Sequence, residues 1–142
     1  MKVSARNVFK GTISALTEGA VNAEVVLALP GGDSLVAVVT LQSVKSLGLA
    51  VGKEAIALVK APWVMLMTDG SDIRLSARNC LNGTVVSVDA GAVNSEVVIE
   101  LPGGAKVTSV VTREAVAELG LAKGVNATAV IKASHVILGV PA

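Results

Sequence analysis

Residues 19–40 read GAVNAEVVLALPGGDSLVAVVT, which is the pattern of a β-hairpin. Two apolar runs, 24–29 and 34–39, flank the tetrapeptide Pro30-Gly31-Gly32-Asp33. Valine is typical of strands, and paired glycines supply the positive φ angles that a tight hairpin turn needs. The stretch therefore predicts two antiparallel strands joined by a short turn.

The residues around this hairpin predict three further strands and one helix. Thr40 is a candidate N-cap for the helix, and Gly48 fits the C′ position that ends it. Gly11 interrupts the first strand and allows a bend or bulge there. In chain order the prediction is strand 7–16, hairpin strands 24–29 and 34–39, helix 41–47, and strands 54–60 and 64–67.

The whole pattern occurs twice. The tetrapeptide SARN at residues 4–7 returns at residues 76–79, an offset of 72 residues, and residues 91–112 repeat residues 19–40 at the same offset. The matches continue without a gap to the end of each copy. A tandem duplication explains this register.

The duplication divides the chain into two domains, which we place at 1–70 and 71–142, joined at the polar, turn-forming stretch 68–72. The second copy has its helix at 113–119. Five strands with one helix between the third and the fourth are the element order of an OB-type closed barrel. We therefore predict an all-β fold class: two OB-like β-barrels in tandem, each with one short helix.

Each unit is small for independent stability. A domain of about seventy residues buries a small share of its surface, and the only aromatic residues are Phe9 and Trp63. The runs at 64–67 and 136–138 are apolar and expected at sheet edges, where unpaired backbone groups invite a partner. We therefore expect a homo-oligomer.

Composition excludes several classes of function. Twelve Lys and Arg residues against eleven Asp and Glu residues give a net charge of +1, which supplies no basic field for a phosphate backbone. Two aromatic rings cannot form a ladder of base-stacking platforms, so we expect no nucleic-acid partner. The single Cys80 and single His135 cannot form a disulfide within the chain or a closed Cys/His zinc site.

The sequence also carries no membrane signal. It has no run of about eighteen uncharged apolar residues. Arg6 and Lys10 fall where a signal peptide needs its apolar segment. We therefore expect a cytoplasmic protein with no membrane partner.

Candidate catalytic groups are few. His135 corresponds to Trp63 in the first unit, so we expect a packing or surface residue there. Cys80 corresponds to Val8, so we expect it to behave as a small apolar residue on a strand and not as a nucleophile. The carboxylates form no paired-acid motif, and the Pro-Gly-Gly turns lack the Gly-Lys-Ser/Thr continuation of a phosphate loop. We therefore expect no catalytic residue and no enzymatic activity.

The polar residues that both units share are mainly hydrogen-bond donors. Taken singly, each has a structural explanation, because Asn is common in turns, Thr caps helices, and a Lys near a strand end is usually solvated. Repeated in register, the set favours an anion as ligand. The shared pairs are Ser4 and Ser76, Arg6 and Arg78, Asn7 and Asn79, Asn22 and Asn94, Thr40 and Thr112, and Lys60 and Lys132.

Both units carry four motifs in the same order: SARN, GAVNxEVxxxLPGG, VVTxxxVxxLGLAxG, and Val-Lys-Ala or Ile-Lys-Ala. These motifs resemble the Mop domain, the molybdate-binding module of molbindins, and two such units in one chain resemble the di-Mop molbindins. The resemblance implies tandem OB-like folds, a homotrimer, and oxyanions bound at subunit interfaces without an enzymatic step. It implies molybdate or tungstate as ligand, no cofactor, and a role in cytoplasmic molybdenum storage and homeostasis.

The resemblance also assigns candidate oxyanion-binding residues, which supply backbone N–H, hydroxyl and cationic donors. A second type of site is expected at the turns that contain Val21, Asn22, Val93 and Asn94, where symmetry brings equivalent turns together. The candidates of the first type are Ser4, Ala5, Arg6, Asn7, Thr40, Ser43, Lys60 and Ala61, with Ser76, Ala77, Arg78, Asn79, Thr112, Lys132, Ala133 and Ser134.

The two sets of candidates are not identical. Ser43 is matched by Ala115, and Pro62 is matched by Ser134, so we predict unequal affinities for the two pockets. Sulfate carries the same charge as molybdate and must be rejected by size, because its shorter bonds leave the donors of a rigid pocket too distant.

Two alternatives to storage stay open. A molybdate-responsive regulator would bind the same anion and signal to a partner. An OB-like interaction module, in which SARN is only structural, would bind no oxyanion. Titration with molybdate separates the interaction module from the other two, and partner affinity with and without molybdate separates the regulator from a storage protein.

Overall fold

The computed structural model describes residues 1–142 and contains two five-stranded antiparallel sheets. Each half of the chain also has one α-helix after its third strand and one 3-10 turn after its fourth, which confirms the predicted all-β class and element order. The first half contains β1 (Asn7–Glu18), β2 (Asn22–Ala28), β3 (Ser34–Thr40), α1 (Leu41–Leu47), β4 (Glu54–Val59), a 3-10 turn (Ala61–Trp63) and β5 (Met65–Met67). The second half contains β6 (Asn79–Ala90), β7 (Asn94–Glu100), β8 (Lys106–Thr112), α2 (Arg113–Leu119), β9 (Asn126–Ile131), a 3-10 turn (Ala133–His135) and β10 (Ile137–Gly139).

The last strand of each half joins the sheet of the other half. The strand orders are β10-β4-β1-β2-β3 and β5-β9-β6-β7-β8. Ile137 pairs with Leu58, and Met65 pairs with Val130, so β10 and β5 are edge strands as predicted, but each closes the sheet of the opposite half. Both sheets therefore contain strands from both halves of the chain.

The helix boundaries follow from their caps. The Thr40 hydroxyl accepts a hydrogen bond from the Ser43 N–H at 3.1 Å, and Gly48 ends the helix at φ +64° in the left-handed conformation. The second helix repeats this arrangement with Thr112 and Gly120. The predicted caps are confirmed, because a β-region hydroxyl residue and a left-handed glycine satisfy the groups that a short helix leaves unpaired.

Both helices have seven residues, and no helix of the chain has the length and apolar character to cross a membrane.

The bulge in the first strand lies beside Ser14 and not at Gly11, which corrects the prediction. The register of β1 against β2 shifts between Ile13 and Ala15. Gly11 serves a different purpose, because a Cβ at this position would overlap the Ala28 carbonyl oxygen of the neighbouring strand. The second half repeats both features. The glycine therefore permits close strand approach rather than a bulge.

One apolar core runs through both halves of the molecule. Val25 and Val97, at equivalent positions, are fully buried in it. Val64 and Val136, which precede the exchanged strands, are buried in the same cluster. Because the two halves share one core, the duplicated chain buries more apolar surface than a single unit could, which offsets the small size of each unit.

The two hairpin turns meet where the halves of the molecule join. Gly31 and Gly32 adopt φ +90° and +99°, as the hairpin prediction requires. The Asp33 carboxylate accepts hydrogen bonds from the N–H groups of Gly103 at 3.1 Å and Ala105 at 3.4 Å in the other turn. A Cβ on Gly31 would overlap the Gly103 carbonyl oxygen, whereas Gly32 faces open space.

This contact predicts different costs for two neighbouring substitutions. Gly32→Ala meets only the backbone strain of positive φ, about 1–3 kcal/mol, whereas Gly31→Ala adds a clash worth roughly 1–3 kcal/mol more. We expect Gly31→Ala to lower the free energy of unfolding, measured by urea denaturation, by clearly more than Gly32→Ala. Equal losses for the two variants would mean that the turns do not touch in solution.

Candidate functional site

The SARN and Lys-Ala segments lie together because two strands pair. Asn79 at the start of β6 pairs with Ile131 at the end of β9, so the residues before β6 lie beside those after β9. The same pairing occurs in the first half between Asn7 and Val59. Antiparallel strands bring the beginning of one next to the end of the other, and the predicted segments of both halves are therefore adjacent.

In the second half these segments line one groove of about 390 Å³. Val38 and Met65, both from the first half, line it as well, and the sequence analysis did not include them. Their contribution follows from the strand exchange, which no local sequence signal reveals. The predicted residues that line this groove are Ser76, Ala77, Arg78, Lys132, Ala133 and Ser134.

The two SARN arginines form ion pairs across the halves. Arg6 donates from Nη1 and Nη2 to the Glu96 carboxylate at 2.6 and 2.8 Å. Arg78 makes the same two-pronged contact with Glu24, at 2.9 Å for the Nη2 bond. Such fork-to-fork geometry fixes both partners. Glu24 and Glu96 repeat in register, and this repetition is the sequence signal for a pairing that was not among the predictions.

The lysines differ from the arginines because they carry no counter-ion within the chain. The two salt bridges of the structure are the Arg6 and Arg78 pairs, and neither Lys60 nor Lys132 takes part in one. Both lysines are exposed. Among the predicted site cations, the two lysines are therefore the ones left without a counter-ion.

The SARN asparagines are buried and bond to the backbone of the other half. Asn7 Nδ2 donates to the Thr108 carbonyl at 2.8 Å, and the Thr108 N–H donates to Asn7 Oδ1 at 2.7 Å. Asn79 makes the same pair of bonds with Val36, both at 2.8 Å. The side-chain amide of Asn7 thus hydrogen-bonds to the backbone of β8, and that of Asn79 to the backbone of β3, in the way a neighbouring strand would. Anion binding at these two positions stays a prediction, and it would have to leave the amide bonds intact.

The helix-cap candidates lie outside the second-half groove. The lining of that groove includes neither Thr40 nor Thr112. The Thr40 hydroxyl is also within hydrogen-bond distance of the Ser43 hydroxyl, at 2.9 Å. Thr40 and Thr112 are the last residues of β3 and β8 and the N-caps of the helices, and Ser43 lies in the first turn of α1.

The Val-Asn turns also lie away from the groove. Val21 and Val93 expose 72% and 73% of their surface. Their carbonyl groups accept hydrogen bonds from the first residue of each helix, Leu41 and Arg113, both at 3.0 Å. The turns are therefore held by the helices and present their side chains outward.

Trp63 and His135 occupy equivalent positions and stack on each other. Their ring centroids are 4.8 Å apart at an interplanar angle of 39°. This geometry agrees with the expected packing role of His135. Cys80 lies on β6, is exposed and forms no disulfide, and its thiol donates to the Ala77 carbonyl at 3.7 Å. No group of three or more His, Cys, Asp or Glu side chains in the chain could hold a metal ion.

The TOBE domain family matches residues 3–66 and 75–138, one copy in each half. The chain belongs to the TOBE domain family. All predicted site residues of both halves lie within these two TOBE copies, and none lies in the stretch between them, residues 67–74. The resemblance to tandem Mop proteins and the prediction of tandem OB-like units are thereby confirmed.

Individual relatives of this tandem TOBE chain are named for molybdenum. The chain is 48% identical over 141 residues to the molybdenum-pterin-binding protein MopA of Rhodobacter capsulatus, covering 99% of this chain and 53% of MopA. It is 48% identical over 140 residues to the molybdenum transport protein ModE of Azotobacter vinelandii, covering 99% of this chain and 52% of ModE. The chain thus spans about half the length of these curated relatives.

A solved structure matches the full tandem. This is the cytoplasmic molybdate-binding protein ModG with molybdate bound, at 69% sequence identity and a TM-score of 0.95, covering 99% of this chain and 100% of ModG. The paired TOBE units, including their relative arrangement, are therefore shared with a protein of known structure.

The two kinds of contact made by SARN predict different effects on stability. Asn7→Ala leaves the Thr108 N–H and carbonyl without partners, so we expect the free energy of unfolding to fall by about 2–4 kcal/mol. Arg6→Ala removes an exposed ion pair, and we expect a loss of about 1 kcal/mol or less. Urea denaturation of both variants checks this order. A larger loss for Arg6→Ala would show that the ion pair, and not the amide, joins the halves.

Proposed function

We propose that this chain binds molybdate, and tungstate, as a storage and homeostasis protein for molybdenum. The observation that carries the proposal is the groove of the second half, which Ser76, Lys132 and Ser134 line together with six apolar residues, and in which the lysine has no counter-ion. The 69% identity to ModG, a protein described as molybdate-binding, supports the same ligand.

The chemistry of the groove suits a tetrahedral dianion. Molybdate presents four oxygens that accept hydrogen bonds, so the protein needs N–H, O–H and ammonium donors rather than metal ligands. Ser76 and Ala77 supply hydroxyl and backbone groups ahead of β6, and Lys132 supplies positive charge after β9. The residues Ser4, Ala5, Lys60 and Ala61 play the same part in the first half.

The ion pairs with glutamates limit how the two arginines can contribute to anion binding. The Arg78 guanidinium lines the groove, but two of its donors are already bonded to Glu24. Arg78 then contributes through its remaining donors and by holding the SARN backbone in place, and Arg6 does the same through Glu96. Because Glu24 and Glu96 are each paired with an arginine, their carboxylates repel a bound dianion only weakly.

The exposed valine turns support a homotrimer with a second type of anion site. Val21 and Val93 would be covered by other copies of the chain, and Asn22 and Asn94 would bring amide donors together near the symmetry axis. In this assembly the two domains, 1–70 and 71–142, contribute equivalent surfaces. We further propose that the protein acts in the cytoplasm, without catalysis, nucleic acid or membrane partner.

A molybdate-responsive regulator is the second candidate. Several relatives are named as ModE regulators, among them the DNA-binding transcriptional dual regulator ModE of Escherichia coli, to which this chain is 37% identical over 140 residues. The regulator differs from the storage protein in one respect: its affinity for a macromolecular partner changes when the anion binds.

Titration calorimetry of the anion-free chain tests the proposed ligand. We expect saturable heats with molybdate and tungstate, and weak or no binding with sulfate and phosphate, because sulfate is too small for the donors and the proton of phosphate finds few acceptors. The mass of the assembly in solution, measured on the same samples, is expected to equal three chains. Equal responses to sulfate and molybdate would contradict the proposal.

The unpaired lysine predicts the largest single effect on binding. Lys132→Ala removes a charge-assisted hydrogen bond, so we expect the dissociation constant of the second-half pocket for molybdate to rise about 10- to 100-fold. Lys123→Ala, an exposed lysine of the same half that does not line the groove, is the matched control and is expected to leave binding unchanged. If both variants bind alike, the anion is not held in this groove.

A further inference from the structure

The residue that follows each candidate lysine by three positions differs between the halves. Lys60 and Lys132 each precede a 3-10 turn and have nearly the same backbone angles, φ −69° and ψ 131° against φ −65° and ψ 131°. Trp63 N–H bonds to the Lys60 carbonyl, and His135 N–H bonds to the Lys132 carbonyl, both at 2.9 Å. The backbone of the two segments is thus equivalent, and the ring side chains are the difference.

In the first half the ring lies against the lysine. The Lys60 Nζ atom is 5.4 Å from the centroid of the Trp63 ring, within the distance of about 6 Å at which an ammonium is attracted by the negative face of an indole. Tryptophan is the strongest aromatic partner for this interaction, and Lys132 makes no contact of this kind. The Lys60 side chain therefore has an orienting contact that Lys132 lacks.

Trp63 is itself held in place from both sides. Pro62 occupies the first turn of its 3-10 segment and fixes the backbone there. The His135 ring packs against the indole from the other half, although Trp63 still exposes 41% of its surface. A ring that is fixed by backbone and stacking can direct a flexible lysine, which a mobile ring could not do.

We propose that Trp63 is a positioning residue for the first-half anion pocket: it orients the Lys60 ammonium toward the oxyanion. This inference rests on the proposed function. It also relates to the expected difference in affinity between the two pockets. The second half has the Ser134 hydroxyl where the first half has Pro62, and the oriented Lys60 ammonium offsets the missing hydroxyl. The first pocket then depends on its cation more than the second does.

A double-mutant cycle tests whether Trp63 acts through Lys60. All variants carry Lys132→Ala, so that the first-half pocket dominates the titration with molybdate. Trp63→Leu is expected to raise the dissociation constant about two- to fivefold, whereas Trp63→Phe, which keeps an aromatic face, is expected to change it less. In a Lys60→Met background, Trp63→Leu is expected to have no further effect.

The intrinsic fluorescence of the chain gives a second readout that needs no change at position 63. Trp63 is the single tryptophan, so the emission reports this ring alone. In the chain with Lys132→Ala, molybdate should change the emission when it draws the Lys60 ammonium, and Lys60→Met should abolish that change. Thermal unfolding of Trp63→Leu without anion shows whether the fold is retained.

The outcomes separate this inference from the proposed function. No binding of molybdate by the unaltered chain overturns the proposed function. Binding by the unaltered chain, with the same loss for Trp63→Leu whether or not the chain also carries Lys60→Met, overturns the positioning role and assigns Trp63 to packing alone. If molybdate still changes the Trp63 emission in the chain with Lys60→Met, the positioning role is also overturned. This emission measurement does not require that Trp63→Leu folds.

Discussion

The exchange of closing strands is the constraint on which the rest of this structure depends. Because β5 completes the sheet of the second half and β10 completes that of the first, the chain must cross from one sheet to the other after Val59 and after Ile131. Each crossing consists of a lysine, a buried alanine and a 3-10 turn. The lysines of the candidate site therefore lie at the two points where the chain leaves one sheet for the other.

The same crossing explains why the groove contains residues of both halves. Met65, at the start of an exchanged strand, and Val38, on the outer strand of the first half, line a groove whose donors belong to the second half. The Asn7 and Asn79 amides also join the two halves, because they bond to the backbone at the edge strands β8 and β3. Edge strands with satisfied backbone groups resist uncontrolled pairing, so the joint between the halves is both rigid and specific.

Local features of this fold could be predicted from the sequence, and long-range pairing could not. The Thr40 and Gly48 caps, the positive φ angles of the hairpin and the 72-residue register each depend on residues that are close in the chain or repeated in it. Strand exchange depends on a choice between two equivalent partners, because β4 and β9 offer nearly the same edge to either closing strand. The repeat makes the exchanged and unexchanged pairings alike in local sequence. The candidate site shows the same division: the arginine and asparagine side chains were assigned to an anion because they are donors, yet their partners Glu96 and Thr108 lie in the other half.

Fusion of the two units permits contacts that two separate identical units could not make. The Asp33 carboxylate accepts a hydrogen bond from the Ala105 N–H, and Ala105 is the residue that corresponds to Asp33 in the second repeat. Aspartates at both positions would bring two carboxylates together at the meeting point of the turns, where like charges oppose each other. Trp63 and His135 are likewise counterparts that contact each other. Two copies of one identical unit cannot differ at such a meeting point, whereas the two halves of a fused chain can. The Pro62/Ser134 difference between the candidate pockets lies next to the Trp63–His135 contact in the chain.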